Sequence, residues 1–216
     1  AFKDLFNVNG SKIGLEVWNK IYKNDIFNNY EIDNLNIAYV GSINNIIDVD
    51  LIVRVLKKIM NYRDLTFHII GNGEKKDQLI KKCRIANIQY FDYGIVYGDE
   101  QKKRILENCQ FGLNIMKKSV KVGVTMKSLE YFHWGLGLIN NIPADTHQIV
   151  EAFNCGFNVT DESDQALESL AKNINKMSEI QLNDMRMNSR IVYNHMFAEP
   201  AIKKKYINVI EYVERV

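Results

Sequence analysis

Cysteine is scarce here: Cys83, Cys109 and Cys155 are the only three, and no two of them form a C-x-x-C pair. An odd, widely spaced set supplies no disulfide framework and reads as free, mostly buried thiols in a reducing compartment. Charge of one sign is scarce too. Lys and Arg total 28 against 26 Asp and Glu, a formal net charge of +2, so the strong basic field of a nucleic-acid binder is not expected. No apolar run reaches the roughly eighteen residues of a spanning helix, and no signal-peptide pattern is present, so no segment is expected to cross a membrane. Repeats, low-complexity tracts and internal linkers are missing as well. What remains is ordinary globular chemistry: 216 residues, 46% hydrophobic and 25% charged, enough for one large or two small domains with a substantial core. The chain opens on Ala1 rather than a methionine and reads as a segment of something longer.

Residues 1–34 are polar and asparagine-rich and read as a connecting segment, with one short helix around Leu15–Tyr22. A regular pattern then begins. Leu35–Gly41 (LNIAYVG) is a compact apolar run ending in glycine, the mark of a buried parallel strand. Val49, Ile52, Val53, Leu56 and Ile59 recur at helical spacing over Val49–Met60. Leu65–Gly71, Ile88–Phe91, Phe111–Ile115, Leu138–Asn140 and Gly156–Val159 read as further strands. Between them lie helices over Lys75–Ala86, from Asp99 as a cap to Asn108, from Thr125 to Trp134, and over Thr146–Phe153. After Val159 the pattern turns helical only: Ser163 starts one helix, Ser178 with Gln181 forms a capping box for the next, and Glu199-Pro200 opens the last. Alternation at this pace specifies an α/β domain, a doubly wound parallel sheet of Rossmann type with C-terminal helices. Ligands in such sheets bind beyond the carboxyl ends of the strands where the strand order reverses. The turns after Gly41, Gly71, Gly94 and Ile115, and the helix start at Thr125, therefore compete for the site.

Residues 123–146 (GVTMKSLEYFHWGLGLINNIPADT) are the most informative stretch. Thr125 caps a helix that runs through Glu130 to Trp134, and Gly135 ends it. A helix start with free amides, a lysine at Lys127 and a carboxylate one turn further in suits a nucleoside diphosphate. The amides and the lysine face the phosphates, and Glu130 reaches a ribose diol. A well-capped strand–helix–strand unit with no ligand is the alternative reading of the same residues.

The order of elements, from about Leu35 to Val216, resembles the C-terminal, donor-binding domain of GT-B glycosyltransferases of the retaining family-four type. Tyr39-Val-Gly41 is similar to that family's opening strand and glycine, and His68-Ile-Ile-Gly-Asn-Gly73 to its apolar strand ending in Gly-x-Gly. Gly94-Ile-Val-Tyr97 resembles its Gly-x-Val turn near the nucleobase, where Tyr97 would stack. Lys127-Ser-Leu-Glu-Tyr131 with Gly135 and Leu138-Ile139 resembles a block common in polysaccharide-assembly transferases. Thr125-Met-Lys-Ser128 and Ile139-Asn-Asn-Ile-Pro143 are similar to capsular and exopolysaccharide enzymes of Gram-positive bacteria. The resemblance implies one half of a GT-B fold, with 1–34 leading from a missing N-terminal domain and 35–216 binding the nucleotide-sugar. It implies retaining, hexosyltransferase-type transfer from a nucleotide diphosphate sugar, UDP- or GDP-linked, to a saccharide or lipid-linked acceptor. No metal and no further cofactor are implied, and the setting is cytoplasmic, at the inner face of the membrane, with peripheral membrane contact in the longer protein. The residues carried over are Glu130, Lys127, Thr125, Met126, Gly41, Ser42, Gly71, Gly73 and Tyr97. The fragment alone would bind nucleotide weakly without turnover.

Two departures bear on that picture. The family's Arg and Lys after the first glycine are missing from Ser42-Ile-Asn-Asn-Ile-Ile-Asp48, and Val122 stands where the first glutamate of its Glu-x7-Glu pair would fall. Lys117, Lys118 and Lys121 are candidates to replace the lost phosphate charge, with a solvated loop as the competing reading. The same departures leave open a non-catalytic binding or partner module. A nicotinamide-dependent oxidoreductase is disfavoured, because Gly71-Asn-Gly73 lacks the third glycine of G-x-G-x-x-G. His68 reads as a packed core residue, and His133 and His147 have no metal-ligand spacing.

Overall fold

The computed structural model describes residues 34–203, 206 and 207. The connecting segment read over 1–34, with its helix at Leu15–Tyr22, lies outside the described residues except for Asn34. Six strands form one parallel sheet: β1 (Leu35–Val40), β2 (Leu65–Ile70), β3 (Gln89–Gly94), β4 (Phe111–Asn114), β5 (Gly137–Asn140) and β6 (Gly156–Asn158). Their order is β3-β2-β1-β4-β5-β6, so the chain winds one way from β1 and the other way from β4. The expected doubly wound, Rossmann-like sheet is what forms. Helices α1 (Val49–Met60), α2 (Lys76–Ile85), α3 (Asp99–Leu106), α4 (Met126–Trp134) and α5 (Asp145–Phe153) connect the strands, and α6 (Asp164–Asn175) and α7 (Glu179–Val192) follow them. A π-helical turn, Tyr193–Phe197, extends α7, and residues 199–203 are helical.

Alternation along the strands builds two cores. Leu35, Ile37 and Tyr39 of β1 pack with Ile52 and Leu56 of α1 and with Leu167 and Ile174 of α6 on one face. Ala38 and Val40 pack on the other with Tyr131 and Phe132 of α4, Ile149 of α5 and Val192 of α7. Because both faces of β1 are covered, its sequence is almost continuously apolar rather than alternating. All three cysteines are buried and free, and burial pushes each thiol up to about 12, so none is a nucleophile at neutral pH.

The helix starts follow their caps. Asp48 accepts from the Leu51 amide at 2.9 Å, Ser163 from Ala166 at 3.3 Å, and Ser178 and Gln181 form the expected reciprocal pair. One assignment changes. Gly98, not Asp99, occupies the cap of α3, and Asp99 is the first helical residue, where its charge favours the amino end of the dipole without a capping bond. Strand β3 also runs on to Gly94, past the expected end at Phe91. As the edge strand it leaves Phe91 and Tyr93 half exposed, so no apolar run marks its full length.

Candidate functional site

The two halves of the sheet part between β1 and β4, whose pairing is confined to Ile37 with Phe111 and Ala38 with Gly112. Beyond those pairs Tyr131 enters from α4. Its hydroxyl accepts from the Val40 amide at 3.0 Å and donates to the Leu113 carbonyl at 3.1 Å. The phenol thus satisfies backbone groups of both strands where their ladder stops, and it fastens α4 over the crevice. Gly112 is required by the ring, because a β-carbon there would lie 2.5 Å from it.

Thr125 caps α4 as expected. Its Oγ1 accepts from the Ser128 amide at 3.0 Å and donates to Asn114 Oδ1 at 2.8 Å, while Ser128 Oγ accepts from the Thr125 amide at 3.1 Å. The box closes through Ser128, so no acidic side chain occupies the first turn of α4. The Met126 and Lys127 amides have no acceptor among the described residues and are free for an anion. Met126 itself is exposed at this edge.

Lys127 lies across the crevice. Its Cγ and Cδ are 3.4 and 3.7 Å from where a β-carbon on Gly41 would stand, and its Nζ is 5.5 Å from the centroid of the Tyr39 ring. Among the described residues no carboxylate pairs with it, and burial lowers its pKa from the ordinary lysine value. A half-buried ammonium held against an aromatic face without a counter-charge is a receptive partner for an anion. The position also bears on the missing cation after Gly41. That loop carries none of its own, yet Lys127 reaches it from α4.

Glu130 stands one turn further along α4. Its Oε1 accepts from Lys102 Nζ of α3 at 2.9 Å and from the Trp134 indole N–H at 3.4 Å, and its Oε2 has no partner among the described residues. Tyr97, on the loop before α3, is 86% exposed. Ser42 is exposed after Gly41, its carbonyl accepting from the Tyr39 hydroxyl at 2.7 Å.

The structure gives Gly71 and Gly73 a packing role. Both have positive φ, 145° and 151°, and β-carbons there would lie 2.0 Å from the Gly41 carbonyl oxygen and 2.4 Å from that of Ile43. They let the loop after β2 lie directly on the loop after β1, joined by the Ile43 amide donating to Asn72 O at 2.9 Å. Lys117 and Lys118 are on the rim of a cleft of about 250 Å³, with Met116, Pro143, His147 and Glu162, and Lys118 pairs with Glu162 at 3.2 Å. Lys121 is exposed, and Val122 packs against the first core. His68 sits between Tyr93 Oη and Asn36 Oδ1, each at 2.9 Å, and burial lowers its pKa to about 4, as a core residue would show. The Nδ1 of His133 is buried without a hydrogen-bond partner among the described residues, its ring edge-on to Trp134 and Tyr193.

A chain of side-chain amides adjoins the cap. Asn114 donates to Asn140 Oδ1 at 2.9 Å, Asn140 to Asn158 Oδ1 at 2.8 Å, and Asn158 to the His147 carbonyl at 3.0 Å. This chain of amides crosses the carboxyl ends of β4, β5 and β6 and ends on Thr125, so the cap is tied to half of the sheet. Its signal is in the sequence: FGLN, GLIN and GFN all close on asparagine.

No protein-family profile and no characterised sequence matches the chain. Solved structures match it in fold. TarM of Staphylococcus aureus, in a complex that includes UDP, superposes with a TM-score of 0.64 at 14% identity over 85% of this chain and 37% of its own. HepE of Anabaena in complex with UDP gives 0.65 at 10% identity over 95% and 54%. WaaG, a glycosyltransferase involved in lipopolysaccharide biosynthesis, gives 0.61 at 13% identity over 89% and 50%. The chain therefore spans about half or less of the length of these proteins and shares one α/β unit with each. No helix among the described residues is long and apolar enough to cross a membrane.

Proposed function

We propose that the chain is the nucleotide-sugar-binding half of a glycosyltransferase. The observation that carries the reading is Lys127, half-buried, with no carboxylate partner among the described residues, and beside two amides that have no acceptor among them at the start of α4. That arrangement supplies three donors for a diphosphate at the point where the sheet reverses, the usual place for a ligand in this architecture. Glu130, with Oε2 free, then faces a ribose hydroxyl, and the exposed Tyr97 offers a ring to the base. The fold of the neighbours supports this reading, and two of those named bind UDP, so UDP is the first candidate nucleotide.

In the transfer, the bond between the anomeric carbon and the distal phosphate oxygen breaks. The electron pair goes to that oxygen, an acceptor hydroxyl oxygen bonds the same carbon, and the hydroxyl proton passes to the departing phosphate oxygen. Charge grows on the diphosphate, where the Met126 and Lys127 amides and the Lys127 ammonium stabilise it without a metal. Retention at the anomeric carbon and a saccharide acceptor of surface-polysaccharide type extend the proposal along the resemblance.

Calorimetric titration of UDP and GDP into the chain tests the reading. Heat with either supports it, and Glu130→Ala should then weaken binding by roughly 1.5–3 kcal/mol in a chain that still folds, its melting temperature lowered by loss of the Lys102 ion pair. Silence with every nucleoside diphosphate would favour a non-catalytic binding module.

A further inference from the structure

We infer that Lys102 and Trp134 are positioning residues that hold Glu130 by one oxygen, so that the other is presented to a single ribose hydroxyl and sets the preference for ribose over deoxyribose. The inference rests on the nucleotide reading above. Both donors converge on Oε1, at 2.9 Å from Lys102 and 3.4 Å from Trp134, and Oε2 is left without a partner among the described residues. A free glutamate on a helix surface samples several rotamers, and ordering it costs side-chain entropy when a ligand binds. Here that ordering precedes the ligand.

The holders are themselves fixed. The Trp134 ring packs edge-on to His133 with centroids 4.6 Å apart, and His133 packs in the same manner on Tyr193 at 4.6 Å. The Lys102 and Glu130 side chains are 19% and 26% exposed, so their pair is largely withdrawn from water and stronger than a surface ion pair. Lys102 also belongs to α3, the helix that follows the loop bearing Tyr97. The ion pair therefore links the loop assigned to the base with the helix assigned to ribose and phosphate. A mere tie between α3 and α4 would need the ion pair, but it would not distinguish one sugar hydroxyl from none. Nor does the geometry describe a plug, since a ligand meeting Oε2 has no bond to displace.

The test titrates UDP, 2′-deoxy-UDP and 3′-deoxy-UDP into the unaltered chain and into Lys102→Met, Lys102→Arg and Trp134→Phe. The unaltered chain should favour UDP over one deoxy analogue by roughly tenfold or more, the size of one charge-assisted hydrogen bond. Lys102→Met should shrink that ratio toward one while barely changing affinity for the same analogue. Lys102→Arg should restore it, and Trp134→Phe should lower it part of the way. An unchanged ratio in Lys102→Met, or tighter UDP binding by that variant, would overturn the inference and leave the nucleotide reading standing. UDP binding without any ribose preference in the unaltered chain would do the same. No UDP binding at all would remove the nucleotide reading and this inference with it.

Discussion

The Tyr131 hydroxyl bonds the Val40 amide at 3.0 Å, across ninety-one residues of sequence, at the point where the two halves of the sheet separate. With its second bond, to Leu113 O, it makes the crevice between β1 and β4 and the seating of α4 one construction. Tyr131→Phe removes the oxygen and leaves a buried amide and a buried carbonyl unsatisfied. The expected loss is about 1–3 kcal/mol of unfolding free energy. Urea denaturation with an unchanged slope reads it directly, and a variant as stable as the parent would deny the phenol this role.

Gly71 and Gly41 form a second close relation. A β-carbon at Gly71 would stand 2.0 Å from the Gly41 carbonyl oxygen, and its φ of 145° is hostile to any side chain. Gly71→Ala should therefore cost at least the roughly 1–3 kcal/mol of a strained backbone, with the clash added. Gly94→Ala is the control, since nothing lies within 4 Å of its β-carbon position and only its φ of 63° is strained. Thermal melts should rank Gly71→Ala well below Gly94→Ala; equal melts would show that the loops move apart freely.

Lys127 separates binding from stability. Its ammonium is half-buried without a counter-charge among the described residues, so Lys127→Met should leave the melting temperature equal or higher while UDP affinity falls by roughly tenfold or more. The lowered pKa also gives a pH signature. UDP affinity should decline as pH rises toward that value, because the free protein then loses the proton that binds the phosphates, and the profile of Lys127→Met should be flat over the same range. Loss of fold together with loss of binding would assign Lys127 to structure.

His68 predicts an acid limb. Its native pKa is lowered to about 4 from an ordinary value near 6.5, because burial disfavours the charged ring. Above pH 6.5 the imidazole is neutral in both states and contributes no pH dependence. As pH falls from about 6.5 to about 4 the unfolded chain takes up the proton first, so stability drops over that window. His68→Gln should flatten this part of the stability–pH curve, and an NMR titration placing His68 near 6.5 would contradict the assignment.

Much of the fold was legible in the sequence because buried parallel strands are written as short apolar runs. Such runs marked β1, β2, β4, β5 and β6, the first two followed by glycine, and the side-chain caps at Ser163 and Ser178 marked helix starts to the residue. The edge strand β3 was harder, since half of its side chains face solvent and its sequence, QYFDYG, lacks a clean run. Thr125, Lys127 and Glu130 were brought together by their spacing on one helix. Lys102 and Tyr131 were not, because their partners are 28 and 91 residues away and no local pattern reports such a distance. Lys117, Lys118 and Lys121 precede the Thr125 helix in the chain, but proximity in sequence does not report that Lys117 and Lys118 line a cleft with Met116, Pro143 and His147 while the Lys127 stem lies against Gly41.

A crystal of the chain grown with UDP tests the central claim most directly. The account places the diphosphate on the Met126 and Lys127 amides with Lys127 Nζ in contact, and a ribose oxygen within hydrogen-bond distance of Glu130 Oε2. Nucleotide density lodged elsewhere, with Lys127 still folded over Tyr39 and the start of α4 empty, would contradict it.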